Sequence, residues 1–300
     1  MSDDGVQKTQ CGTIAIVGRP NVGKSTLLNH LVGQKLCITS RKPQTTRHAI
    51  LGIKTLETCQ MVFVDTPGIH TGGQHAMNRR MNRTASTVLH DVDAVVWVVD
   101  RHYWTDEDQR VLEQLNGVTV PVLLVINKLD KVADRDAILP VIEALSHKHP
   151  FHAIIPLSAV KSIGLDVLER ALQSVLPEGE FLFPVDQVTD RNERFFVAEI
   201  VREKIIRQLG EELPYQTAVE IETFQEEPGL TRIAALILVE KEGQKKIVIG
   251  EGGARLKSIG QESRLDMEKM LDTKVMLKLW VKVRRGWADN ERALNSLGIE

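Results

Sequence analysis

The chain has 300 residues, 42% apolar and 26% charged, with a formal net charge of −2. That length suits about two domains, each able to bury its own core, and the near-neutral balance excludes bulk basicity, so any nucleic-acid surface is local. An odd cysteine count (Cys11, Cys37, Cys59) without C-x-x-C excludes a disulfide framework, nine histidines form no metal-binding spacing, and no apolar run reaches the ~18 residues of a membrane span; a polar N-terminus without a signal-peptide core adds to the expectation of a cytoplasmic protein.

Residues 13–17 (T-I-A-I-V) predict a buried strand, and 25–32 (S-T-L-L-N-H-L-V) an amphipathic helix stopped by Gly33. Between them stands Gly18-Arg19-Pro20-Asn21-Val22-Gly23-Lys24-Ser25-Thr26, a G-x-x-x-x-G-K-[S/T] phosphate-binding loop. Strand, tight loop and helix N-terminus aim backbone N–H groups and the positive end of a helix dipole at one point, which suits a polyphosphate. Gly18 and Gly23 permit close approach, Lys24 is expected at the β- and γ-phosphates, and the Ser25 hydroxyl at Mg2+. A plain glycine turn would not need the whole pattern.

The polar stretch 34–47 contains Thr45-Thr46-Arg47. Alone it is an ordinary surface loop; after a phosphate loop it is expected to be a switch, in which a threonine hydroxyl, Thr46 in preference to Thr45, ligates Mg2+ and a backbone N–H senses the γ-phosphate. Residues 48–56 and 59–64 read as two strands, the second running into Asp65-Thr66-Pro67-Gly68. D-x-x-G is common by itself, but here it matches the second switch of GTPases: Asp65 would hold Mg2+ through water, and the Gly68 N–H would bond the γ-phosphate. Ile69 stands where the Ras-like pattern has a glutamine that orients the attacking water. The water must be held by something else, or turnover is slow until a partner helps.

Met77, Met81, Ala85 and Val88 make a core-facing helical stripe. Residues 94–99 and 120–126 are continuous apolar runs of the kind buried on both faces in a parallel sheet, with a helix over 106–115 between them. The second run ends in Asn127-Lys128-Leu129-Asp130. In this N-K-x-D, the Asp130 carboxylate can accept two hydrogen bonds from guanine N1–H and its amine, a pattern adenine does not offer. Asn127 would bond the guanine O6/N7 side or tie the base loop to the phosphate loop, and the Lys128 stem would cover the ring. A last strand, 153–157, precedes Ser158-Ala159, where a backbone N–H is expected at guanine O6. A closing helix striped by Leu168, Ala171, Leu172, Val175 and Leu176 ends at Pro177-Glu178-Gly179. Alternating strands and helices predict a doubly wound, mainly parallel α/β sheet over 1–178, with ligands at the strands' C-terminal ends.

A Pro-containing linker, 179–192, leads to a second domain, 193–300, opening with a helix and two strands. Its informative stretch is I-V-I-G-E-G-G-A-R-L-K-S-I, residues 247–259. G-x-x-G is weak alone; the frame V-I-G-x-x-G-x-x-L-x-x-I between helices is that of a KH domain clamping a single-stranded backbone. Candidate RNA contacts are Lys245, Lys246, Ile249, Gly250, Glu251, Gly252, Gly253, Ala254, Arg255, Leu256, Lys257 and Ile259, with Ile249, Leu256 and Ile259 as apolar groove. Without a nucleic-acid role, the same stretch is a helical pair in a small α+β domain. Residues 274–283 alternate Lys or bulky residues with Val and Leu, a half-buried strand with a basic outer face. The order strand, strand, helix, helix, strand matches a type II KH arrangement. Trp287 is read as core.

With these residues in hand, the chain resembles the Era family of bacterial GTPases in the Era/TrmE-like P-loop group. The five G-domain signatures in order, Q-T-T-R, G-Q-K-K-x-V-I-G-x-x-G, and L-W-V-K-V followed by G-W-x-D-x-E-R-A-L carry the resemblance along nearly the whole length. It implies GTP/GDP and Mg2+ as ligands and binding of the 3′ end of 16S ribosomal RNA. It further implies a role in 30S ribosomal subunit maturation and peripheral contact with a membrane; a monomer is expected. Asn21 in the phosphate loop, as in related potassium-dependent GTPases, adds K+. Lys24, Thr46, Gly68 and Asn21 are the expected catalytic contributors. Glu251 departs from the Lys or Asn frequent in that family, and its carboxylate must be outweighed by Lys245, Lys246, Arg255 and Lys257. A metabolic P-loop ATPase or kinase is disfavoured by N-K-L-D; a GTPase whose C-terminal domain binds protein instead of RNA is the other alternative.

Overall fold

The computed structural model describes residues 8–40, 45–66, 76–77, 80, 83, 87–89, 91–100, 104–132, 135–210 and 213–297. The chain divides into two compact units, one of Met1–Cys37, Thr46–Gly72 and Met81–Asp190, the other of Ile38–Thr45, Gly73–Arg80 and Arg191–Glu300.

The first unit is built on a six-stranded sheet. Its strands are β1 (Gln10–Val17), β2 (Ile50–Thr55), β3 (Cys59–Asp65), β4 (Ala94–Asp100), β5 (Val122–Asn127) and β6 (Ala153–Pro156). Their spatial order is β2-β3-β1-β4-β5-β6, parallel except for β2 against β3. Six successive apolar residues of β4 are all buried, as a strand covered on both faces requires. Each such Val contributes on the order of 1.5–3 kcal/mol relative to exposure. Trp97 at the centre is fully buried and meets Trp104 edge-on at 5.6 Å and Phe151 at 5.9 Å.

The helices are α1 (Lys24–Val32), α2 (Asp106–Leu115), α3 (Leu139–Ser146) and α4 (Leu165–Gln173). Gly33 stops α1 in the left-handed region, its N–H bonding Asn29 O at 2.9 Å. β1 starts three residues before its apolar run. Pairing of Gln10, Cys11 and Gly12 with Cys59, Gln60 and Met61 of β3 explains this, and a Cβ on Gly12 would come within 2.7 Å of Leu176 Cδ2.

In the second unit, α5 (Glu193–Gln208) precedes β7 (Thr217–Glu227), β8 (Leu230–Val239), α6 (Glu242–Ile249), α7 (Ala254–Leu271) and β9 (Lys274–Val283). Asn192 caps α5 through Phe195 N–H. β7 and β8 form a hairpin over Pro228-Gly229, and β9 adds in parallel to β8. The core gathers Val197, Val201, Ile205, Ile237, Val248, Ile259 and Met267. β9 alternates as its sequence predicts, with Val275 and Val281 buried and Lys274, Lys278, Trp280 and Lys282 exposed. Trp287 is fully buried, and α8 (Glu291–Ser296) closes the described chain. Among the described residues no helix is long and apolar enough to cross a membrane.

Candidate functional site

Because β1, β3, β4, β5 and β6 are parallel, their C-terminal ends share one edge, and the sequence motifs follow those ends. The sheet order reverses between β1's two neighbours, β3 and β4, the point at which such sheets hold ligands. The loop 18–26 leaves β1 there. Gly18 (φ 144°) tolerates no side chain, since a Cβ would lie 2.3 Å from Val98 O. Gly23 (φ 105°) precedes α1, whose opening amides at Lys24, Ser25 and Thr26 have no intrahelical carbonyl to bond. Val22 is core, Pro20 and Thr26 are half-buried, and Asn21 (φ 63°) is exposed. Lys24 is buried, its Nζ donating to Gly18 O at 2.8 Å and Arg19 O at 3.1 Å. Burial pushes its pKa down to about 8, with the Asp65 charge opposing.

The Arg19 side chain turns to Asp108 on α2, with Nε 3.1 Å from Oδ2. Asp108 is fully buried and shares a capping box with Thr105. Sequence reading missed Asp108; the T-x-x-D spacing was the available signal.

Ser25 Oγ lies 2.8 Å from Thr46 Oγ1 and donates to Asp65 Oδ2 at 2.8 Å; Thr46 Oγ1 reaches the same oxygen at 3.3 Å. Asp65 is fully buried, and its Oδ1 makes no hydrogen bond. Burial pushes its carboxyl pKa up, while Lys24, Ser25, Cys37 and Thr46 pull it back. An orphaned buried carboxylate oxygen beside two hydroxyls is a hard, all-oxygen donor set that suits Mg2+. The Thr66 hydroxyl donates to Ile16 O at 3.0 Å and so fastens the end of β3 to β1. Pro67 and Gly68 lie outside the described residues.

Asn127 ends β5. Its Nδ2 donates to Val22 O at 2.8 Å, and its Oδ1 accepts from Lys128 N at 2.7 Å and Ala159 N at 3.0 Å. Of the two roles open to it, tying the loops together is the one present. The Ala159 N–H, in the loop expected at guanine O6, bonds Asn127 Oδ1. Lys128 (φ 67°) pairs with Asp100 at the end of β4, 2.6 Å away. Asp130 is exposed and accepts from Ser158 Oγ through Oδ1 at 2.5 Å.

In the second unit, Gly250, Gly252 and Gly253 all have positive φ. A Cβ on Gly250 would lie 2.8 Å from Arg255 Cβ, whereas Gly252 and Gly253 face open space. A cleft of about 540 Å3 runs from Gly253, Leu256 and Lys257 to Gly260, Gln261 and Arg264 on α7 and to Leu277 and Leu279 on β9. No acidic residue stands in the first turn of α7. Lys246, Glu251, Ala254 and Lys257 are exposed, and Lys245, Ile249, Gly250 and Leu256 half-buried. Arg255 Nη1 donates to Ile247 O at 2.5 Å, capping the end of α6. Ile259 is a correction: fully buried in the cluster that also holds Val248, it is core and not groove wall, while Leu256, about one turn earlier on the same face, packs at the half-buried edge of that cluster.

Residues 13–128 match the model of the 50S ribosome-binding GTPase family, and 212–288 that of the KH domain. The GTPase Era of Pseudomonas aeruginosa (strain LESB58) is 59% identical over 99% of this chain and 98% of its own. That of Marinobacter nauticus is 60% identical over 97% and 96%. Two solved structures superpose at TM-score 0.94 with 38% identity, each covering 97% of this chain and 99% of its own: Aquifex aeolicus Era, a variant bound to GDP·AlF4−, and Era in complex with MgGDPNP and nucleotides 1506–1542 of 16S ribosomal RNA. Fold and site thus define a P-loop GTPase with a C-terminal KH domain. The chain belongs to the Era family of GTPases.

Proposed function

We propose that this chain is a nucleotide switch that binds the 3′ end of 16S ribosomal RNA in its α7–β9 cleft and serves 30S subunit assembly. In this reading 1–178 is the GTPase domain, 179–192 a linker and 193–300 the KH domain. One observation carries it: the phosphate loop, the switch threonine and the D-x-x-G aspartate meet in a single oxygen cluster, Ser25–Thr46–Asp65. The likeness to an Era bound to MgGDPNP and 16S nucleotides supports the RNA half.

The opening amides of α1 and the Lys24 ammonium bind the β- and γ-phosphates, where negative charge grows as the bridge to the β-phosphate breaks. Ser25, Thr46 and Asp65 hold Mg2+, which when bound neutralises the phosphate oxygens. The N–H groups of Thr46 and Gly68 sense the γ-phosphate. Water oxygen bonds to the γ-phosphorus, GDP leaves, and the water's proton ends on inorganic phosphate. Ile69 cannot orient that water; Asn21 would hold a K+, which would supply positive charge to offset the negative charge that develops on the phosphates. Asp130, steadied by Ser158, accepts from guanine N1–H and its amine, and the Lys128 stem, steadied by Asp100, covers the ring. Peripheral membrane contact rests on the family resemblance.

The test is made on the full chain with GTP, ATP and an RNA covering the 3′ end of 16S. GTP-selective hydrolysis and RNA retention lost in Gly252→Asp are expected; ATP preference, or equal retention by the variant, contradicts the proposal.

A further inference from the structure

α5 carries two buried stripes. Val197, Val201 and Ile205 face the apolar core. Glu199, Arg202 and Glu203 are also buried, at 6%, 3% and 0% exposure. Two backbone groups on either side of residues 41–44, at Thr39 and Thr45, bond to this charged stripe, and both residues belong to the same compact unit as α5.

Glu203 Oε1 accepts from Thr39 N at 3.2 Å, and Arg207 Nη2 reaches Thr39 O at 3.3 Å while pairing with Glu203 at 2.9 Å. Arg202 Nη2 donates to Thr45 O. The Arg202 fork is itself fixed by Glu199, with Nε on Oε1 at 2.7 Å and Nη2 on Oε2 at 2.6 Å. A bidentate pair of this kind sets the plane of a guanidinium as well as its position.

The next residue is Thr46, whose Oγ1 belongs to the Ser25–Asp65 cluster. Thr45 O and Thr46 N–H are the two ends of one planar trans peptide and point in opposite directions. Whatever holds the carbonyl therefore aims the N–H. A buried ion pair is by itself weak support for stability, and apolar residues would fill the same space. A buried pair spent on the carbonyl that precedes the switch threonine has a different use.

We propose that Arg202, oriented by Glu199, is a positioning residue for GTP recognition: it fixes the Thr45–Thr46 peptide so that the Thr46 N–H and hydroxyl meet the γ-phosphate and Mg2+. This rests on the switch role of Thr46 proposed above. The contribution is specific to the triphosphate, because GDP has no γ-phosphate for Thr46 to sense.

The experiment uses the full chain with two variants. Arg202→Lys keeps the charge and loses the fork. Glu199→Gln/Arg202→Gln removes both charges together, so that no buried charge is left alone should the first variant fail to fold. Affinities for GDP and for a non-hydrolysable GTP analogue, the Mg2+ requirement of hydrolysis, and the Tm are measured beside Thr46→Val. Expected is a loss of about tenfold in the ratio of GTP-analogue to GDP affinity, with a higher Mg2+ requirement and unchanged GDP affinity. A purely structural role would weaken both nucleotides together. If Thr46→Val lowers the ratio and the folded Arg202 variants do not, the positioning role is overturned while the switch role of Thr46 stands. If Thr46→Val leaves the ratio unchanged, both fall.

Discussion

The Asn127 carboxamide donates to Val22 O at 2.8 Å while its oxygen accepts the Lys128 and Ala159 amides, so one side chain joins the phosphate loop to both base loops. Removing it leaves three backbone groups short of a partner at a cost of about 1–3 kcal/mol. Asn127→Ala should therefore weaken GDP and GTP alike, by about ten- to a hundredfold. Gly23→Ala attacks the same joint from the other side, since its Cβ would stand 2.3 Å from Asn127 Nδ2. The two changes should be less than additive, as residues in contact are. Titration with a fluorescent nucleotide checks this; wild-type GDP affinity in Asn127→Ala contradicts it.

Base choice should follow Asp130. With Ser158 on Oδ1, the carboxylate is steadied for the paired donors of guanine. Asp130→Asn presents a donor where guanine also has one, and should cost GTP affinity while favouring xanthosine triphosphate, whose 2-position is a carbonyl. Competition between the two nucleotides reads the exchange, and an unaltered preference for GTP argues against Asp130 as the base reader.

Phosphate and metal should separate by variant. Lys24→Ala removes the buried ammonium from the loop and should abolish hydrolysis, a loss of about a hundredfold or more for an electrostatic group at the developing charge. Ser25→Ala takes one oxygen from the cluster with Thr46 and Asp65, and should raise the Mg2+ concentration needed for half-maximal rate. Steady-state rates across a Mg2+ series distinguish the two; wild-type behaviour in either variant removes that residue from its role.

RNA binding should be modest and salt-sensitive, its logarithm falling by roughly 0.7 per contacted phosphate for each tenfold rise in salt. Gly252 faces open space at φ 56°, so Gly252→Asp costs little packing, but it strains the turn and adds a carboxylate where a backbone would approach. It should weaken binding, and Glu251→Lys, which reverses an exposed charge beside it, should tighten it. Filter binding over a salt series tests both signs, and an opposite sign in either variant contradicts a phosphate track at this turn.

The architecture was largely legible because strands buried on both faces read as unbroken apolar runs. β4 and β5 show this, and α2 occupies its predicted span over 106–115. The motifs were legible because each follows a strand end. What escaped depends on packing partners remote in the chain. Asp108 holds Arg19 from another helix, and Asp100 holds Lys128 from the neighbouring strand. Ile259 and Leu256 fit one sequence frame, yet only the tertiary structure shows that Ile259 is fully buried while Leu256 lines the cleft. Glu199, Arg202 and Glu203 have the spacing of a solvated helix face, and nothing local in the sequence announces that Thr39 and Thr45 bond to Glu203 and Arg202.

The proposed switch couples nucleotide state to RNA binding within one chain. α5 touches the switch segment through Arg202 and Glu203, and it touches α7 through Lys204 with Asp266 and through Gln208 with Glu262. Coupling between nucleotide and RNA, if carried by these contacts, is reciprocal. The most direct measurement is the affinity of the full chain for an RNA covering the 16S 3′ end, once with GDP and once with a non-hydrolysable GTP analogue, both with Mg2+. The expected result is tighter binding with the analogue by about fivefold or more, with RNA raising the preference for analogue over GDP by the same factor. Identical RNA affinities in the two nucleotide states would contradict it.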